Sequence, residues 1–92
     1  LPVSTLAALA LRAPGERVIA AIDARMGEVY VAAFQREGDG LTALDQEAVL
    51  EPDRYLPPAG DAWQGVGTGF AAGEAALQAR LHGRLAAVDA QA

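Results

Sequence analysis

The sequence predicts an α/β domain built on a sheet that is covered on both faces, and three observations carry that prediction. Two neighbouring runs, residues 18–23 and 28–35, are rich in β-branched and aromatic side chains and flank a short connection holding Gly27, the pattern of a β-hairpin. In both runs apolar residues alternate with apolar residues: Val18, Ala20 and Ile22 interleave with Ile19 and Ala21, and Val29, Val31 and Ala33 with Tyr30, Ala32 and Phe34. Strands of that kind lie inside a sheet with no wet face. Helical patterns at residues 6–12 and 71–82 stand on either side of the hairpin and can supply the covering layers. An isolated two-stranded ribbon is marginal in water, so the flanking segments must add strands as well as helices.

In chain order, residues 1–3 read as the tail of an extended segment, and Ser4 or Thr5 as the N-cap of the helix 6–12. Leu6, Leu9 and Ala10 share one face of that helix with Ala7 and Leu11 beside them, a broad stripe that predicts a mostly buried helix. Pro14 and Gly15 stop it, and Glu16 and Arg17 lead into the first strand. Residues 37–40, EGDG, form a polar turn before a third antiparallel strand at 41–50. There Asp45 and Glu47 share a face with Ala43 and Val49, which suits an edge strand whose charges discourage pairing with another chain.

Pro52 opens a short helix through residue 56, ended by Pro57 and Pro58. Residues 59–64 are a loop holding Trp63, and residues 65–69, GVGTG, are a short extended piece that leads into the helix 71–82. Glu74 in its first turn and Arg80 and His82 in its last suit the helix dipole, with Gly83 as the C-cap. Residues 84–89 read as a last short strand. The order is α-β-β-β-α-β-α: helix, three antiparallel strands, helix, a further strand, helix. No internal repeat or low-complexity linker is visible. The chain starts at Leu1 rather than Met, inside an apparent strand-to-helix transition, and residues 90–92 look interrupted, so the sequence is expected to be a piece of a longer protein.

The 92 residues suffice for one small domain that buries about 60–65% of its unfolded surface. Apolar residues make up 52% but aromatics only 5%, and 22 positions are Ala, so the core is built from small side chains that each bury little area. A net charge of −5 and seven scattered arginines argue against direct nucleic-acid binding, which needs clustered cations. The absence of Cys excludes disulfides and thiolate metal sites. No run of about 18 apolar residues and no signal-peptide pattern is present, so a cytoplasmic protein with no membrane segment is expected.

Chemistry-bearing residues are few. Asp23 and Glu28 flank the hairpin connection with Arg25 between them; they read as solvating charges of a turn, or as a recognition surface, ahead of a paired acid/base site. His82 and Ser4, each the single residue of its type, sit at a helix end and a helix cap, and read as structural rather than as a nucleophile and its base. One His with scattered carboxylates gives no metal site. Gly67, Thr68 and Gly69 precede a helix and can be drawn as a phosphate cradle, for instance for ATP. The third glycine nevertheless comes one residue too early for the dinucleotide fingerprint, and the P-loop Lys is missing, so a tight strand-to-helix turn is the simpler reading. Trp63 reads as a packing anchor.

The string Asp23-Ala24-Arg25-Met26-Gly27-Glu28-Val29-Tyr30, preceded by Val3-Ser4-Thr5-Leu6-Ala7-Ala8-Leu9-Ala10 and followed by Glu47-Ala48-Val49-Leu50 and Val66-Gly67-Thr68-Gly69, resembles the bacterial TsaB family, formerly called YeaZ. The resemblance implies the RNase H-like, actin-like (ASKHA) fold of two half-domains, of which this chain would be the C-terminal one. Residues 1–16 would then be the crossover helix and residues 17–92 the C-terminal subdomain, with the N-terminal subdomain absent. It also implies a non-catalytic scaffold role in making threonylcarbamoyladenosine next to the tRNA anticodon. The partners implied are a TsaD-like catalytic subunit, which carries the metal, and a TsaE-like ATPase. A nucleotide-binding or glycoprotease-like enzyme of the same superfamily is the alternative. An orphaned half-domain exposes an apolar face, which favours a homo-oligomer.

Overall fold

The computed structural model describes residues 5–13, 15–38, 40–58 and 60–90, and for Thr5, Arg25, Ala72, Gly73 and Glu74 the backbone alone. The elements run α1 (Thr5–Ala10), β1 (Arg17–Arg25), β2 (Glu28–Glu37), β3 (Gly40–Ala43), β4 (Ala48–Leu50), β5 (Trp63–Val66), α2 (Ala72–Arg80) and β6 (Leu85–Asp89), with 3-10 turns at Pro52–Arg54 and Thr68–Phe70. The six strands form one mixed sheet in the order β3-β2-β1-β5-β6, with β4 pairing the same edge of β2 as β3. The β1–β2 hairpin is antiparallel, from Arg17 opposite Gln35 to Arg25 opposite Glu28. β5 joins β1 in parallel through Val18 and Gln64, and β6 joins β5 in parallel.

Alternation along the hairpin sends side chains into two separate cores. On one face Leu6, Leu9, Ala10 and Ala13 from the α1 region cover Val18, Ala20, Ala32, Phe34 and Val66. On the other, Phe70, Leu77 and Leu81 from the α2 region, with Tyr55 and Trp63, cover Ile19, Ala21, Val29, Val31 and Ala33. Trp63 is fully buried, donates from its indole N–H to the Gly60 carbonyl at 3.2 Å and carries the Arg17 guanidinium 5.9 Å from its ring centroid. Packing on both faces of β1 and β2 is therefore as the doubled apolar pattern predicts.

Several boundaries differ from the sequence expectation, each for a local reason. The third strand is two strands, because Asp45 turns inward. Its Oδ1 accepts the Ala33 N–H at 2.8 Å while the Leu44 N–H donates to the Ala33 carbonyl at 2.8 Å. A carboxylate thus replaces a ladder carbonyl, and the chain bulges out between β3 and β4. Asp45 is an anchor as well as an edge charge. The loop assigned to residues 59–64 ends earlier, with β5 starting at Trp63, whose N–H donates to the Arg84 carbonyl. The helix at 52–56 is a single 3-10 turn, and the last short strand expected at residues 84–89 is present as β6, an element that the order α-β-β-β-α-β-α omits. Leu11 lies beyond α1 and is half exposed. Of the two residues offered as N-cap, Thr5 is the first residue of α1 and Ser4 lies outside the described residues, as does the side chain of Glu74.

Candidate functional site

The hairpin connection is two residues long. Arg25 pairs with Glu28, and Met26 and Gly27 between them both have positive φ, 55° and 80°. This matches the mirror-image turns whose twist suits a hairpin, and it places a β-branch-free Met and a Gly where φ is positive. The register slips between Asp23 and Arg25, which widens the tip. Met26 is 98% exposed, Asp23 is exposed and Glu28 is half-buried, while the side chain of Arg25 lies outside the described residues. Asp23 and Glu28 thus sit on an outward tip held by a doubly covered sheet.

Gly67, Thr68 and Gly69 begin where β5 ends. The Gly67 N–H donates to the Asp89 carbonyl at 2.9 Å, and Phe70 and Ala71 close the 3-10 turn by donating to the Gly67 and Thr68 carbonyls. A Cβ on Gly67 would lie 2.1 Å from the Ala21 carbonyl oxygen and 2.6 Å from a Leu9 methyl; one on Gly69 would lie 2.7 Å from the Ala21 carbonyl carbon. Gly65 likewise admits the Phe70 ring, at 2.8 Å from where its Cβ would be. The glycine faces are filled by β1, α1 and Phe70. That packing by itself accounts for glycine at these positions. Thr68 is exposed, and its Oγ1 accepts the Asp23 N–H at 3.2 Å. The structure therefore joins the two groups of candidate residues at one end of the sheet.

Two tyrosines hold β4 and the loops around it, a feature that sequence periodicity does not reveal because the partners are 10 and 17 residues apart. The Tyr55 hydroxyl donates to Asp45 Oδ2 at 3.0 Å, and Tyr30 donates to Glu47 Oε1. Burial, then the Asp45 charge and the hydrogen bond to it, push the Tyr55 phenol well above its ordinary range. The bond to Glu47 also raises Tyr30. Arg36 fastens the chain after α1 to the sheet, its Nε donating to the Gly15 carbonyl at 3.0 Å and one terminal nitrogen to the Ala13 carbonyl at 2.6 Å.

His82 is exposed in the turn after α2, and Ser4 lies outside the described residues. Among the described residues no group of three His, Cys, Asp or Glu side chains converges as a metal site, and no helix is long and apolar enough to cross a membrane. What the arrangement offers is a rigid, charged tip tied to a closed loop.

No family profile matches the chain. It is 49% identical over 61 residues to the tRNA threonylcarbamoyladenosine biosynthesis protein TsaB of Escherichia coli (strain K12), a match over 61% of this chain and 26% of that protein. It superposes on YeaZ from Pseudomonas aeruginosa with a TM-score of 0.83 at 42% identity, over 100% of this chain and 43% of the other. A second structure, of an uncharacterized protein with similarity to peptidase YEAZ from Pseudomonas aeruginosa, gives 0.80 at 42% identity over 96% and 42%. The chain thus spans less than half the length of the relatives it matches.

Proposed function

From the premise that this chain belongs to the TsaB/YeaZ family, as a partial chain covering 43% of a solved member, we propose that it is part of a non-catalytic subunit that supports threonylcarbamoylation of tRNA. The observation that supports this best is the coincidence of 42% identity with a TM-score of 0.83 over the whole chain. In this reading residues 1–16 are the crossover helix and residues 17–92 the C-terminal half of an actin-like pair. Catalysis belongs to a TsaD-like partner and ATP consumption to a TsaE-like ATPase, in the cytoplasm. The chain contributes a preformed surface, the tip carrying Asp23, Arg25 and Glu28, braced from behind by the Asp23 N–H on Thr68. Gly67 and Gly69 serve that brace by letting the loop approach β1. Charges at the rim of a contact give orientation and association rate more than raw affinity.

The test is capture of a TsaD-like subunit by this chain and by a longer chain that carries the remaining length of the relatives. The longer chain is expected to capture it, and Glu28→Lys in that chain to lower capture several-fold at low salt. Failure of both chains to capture it would overturn the scaffold reading. Full capture by the Glu28→Lys variant would remove the tip from the interface.

A further inference from the structure

We infer that the groove lined by Leu56, Pro57, Arg80 and Arg84 is a second docking surface, for an acidic peptide segment of a protein partner that sets an apolar side chain beside a carboxylate. This inference does not depend on the family role. The groove has a volume of about 230 Å³. It opens at the end of the sheet where β1, β5 and β6 start, away from the tip, because Arg84 directly precedes β6 and β6 runs parallel to β5 and β1.

Charge makes the first part of the argument. The chain carries −5, yet two arginines converge here, and among the described residues neither meets a carboxylate within ion-pair distance. Arg54 shows the contrast, with Glu51 at 3.6 Å. Geometry makes the second. Arg80 Nε donates to the Tyr55 carbonyl at 2.9 Å, which fixes the guanidinium and leaves its terminal nitrogens to a ligand. A guanidinium held in advance loses less entropy on pairing with a carboxylate. The third part is apolar. Leu56 is 76% exposed, and Pro57 continues its surface beside the arginines. Two cations next to an unshielded Leu match a segment such as Glu-Leu-Glu better than a nucleic acid. A phosphate chain would leave Leu56 without a partner and would meet the acidic remainder of the molecule.

The experiment follows a fluorescein-labelled, N-acetylated peptide of alternating Glu and Leu by polarisation, and its site by amide shifts in the labelled 92-residue chain. The Gln-for-Glu peptide and an oligouridylate are run in parallel. The acidic peptide is expected to move the amides of Leu56, Arg80 and Arg84 and to weaken at least fivefold in both Arg84→Gln and Leu56→Ser. It should weaken also as salt rises from about 50 to 500 mM, where the screening length falls below about 5 Å. Both substituted side chains are exposed, so the melting temperature should hold. Equal affinity in both variants, binding of the Gln peptide as tightly, or the absence of shifts at these residues would overturn the inference. Tighter binding of the oligouridylate at the same residues would overturn it in favour of a phosphate site.

Discussion

Gly69 shows how a single atom decides the relation between the glycine loop and the sheet. It has no positive φ to protect, so its requirement is purely steric: a Cβ would sit 2.7 Å from Ala21 backbone and side-chain carbons and 2.9 Å from the Ile22 nitrogen. Backbone in a central strand cannot swing away as a side-chain tip can. Gly69→Ala is therefore expected to cost about 1–3 kcal/mol, the range of overpacking in a filled core. Gly40→Ala, where nothing lies within 4 Å and φ is ordinary, should stay within about 0.5 kcal/mol. Urea unfolding of both variants, followed at the buried Trp63, separates the two cases. Equal stability of the two would mean that the loop is not seated on β1. The same residues bear on function, because a loop pressed against β1 brings Thr68 to the Asp23 N–H.

Among the elements, the β3–β4 edge depends on side chains replacing backbone. Asp45 accepts from the Ala33 N–H and the Tyr55 hydroxyl, and the Tyr55 carbonyl in turn accepts from Arg80 on α2. One carboxylate thereby ties the edge of the sheet to the α2 layer. Tyr55 binds its proton more tightly in the fold than in the open chain, where its pKa is 10.0. Its contribution to stability is fully present below that value and is lost as pH rises above it. Chemical denaturation at stepped pH should show stability falling above about pH 10 in the native chain and falling less steeply in Tyr55→Phe, which should itself cost about 1 kcal/mol at neutral pH. Tyr30 titrates upward as well, so some alkaline slope persists in the variant. Identical slopes would show that neither burial nor the Asp45 contact holds the Tyr55 proton more tightly in the fold than in the open chain.

This edge also marks where the sequence stops being legible. The hairpin, its double coverage and the two helices follow from periodicity, since Val18 to Phe34 state both faces in consecutive residues. The turn at Met26 and Gly27 is visible from its Gly. The break in the third strand is not, because Asp45 reads as an outward edge charge until Ala33, 12 residues away, and Tyr55 are beside it. Asp23 and Glu28 could be named as a charged tip from the sequence, but the contact of Asp23 with Thr68 spans 45 residues and needs the parallel β1–β5 pairing to exist.

In the whole molecule, the two cores share their strands. Val18 and Ala20 face α1 while Ile19 and Ala21 face α2, so neither layer can be lost without exposing a face of the same hairpin. Loss of α1 packing should therefore be felt at Trp63, on the opposite side of the sheet. Leu6 is fully buried on the α1 face, and Leu6→Ala is expected to destabilise the chain by about 2–5 kcal/mol, the transfer and cavity cost of such a truncation. Against a total of about 5–10 kcal/mol for a small domain, that shift is large enough to read without ambiguity. Thermal unfolding followed by Trp63 fluorescence and by far-ultraviolet circular dichroism should move by the same amount, with coincident transitions before and after the substitution. A fluorescence transition left in place while the dichroism shifts would mean that α1 melts by itself. The tip 23–28, carried at the far end of the same two strands, would then draw its rigidity from the α2 core and Thr68 alone.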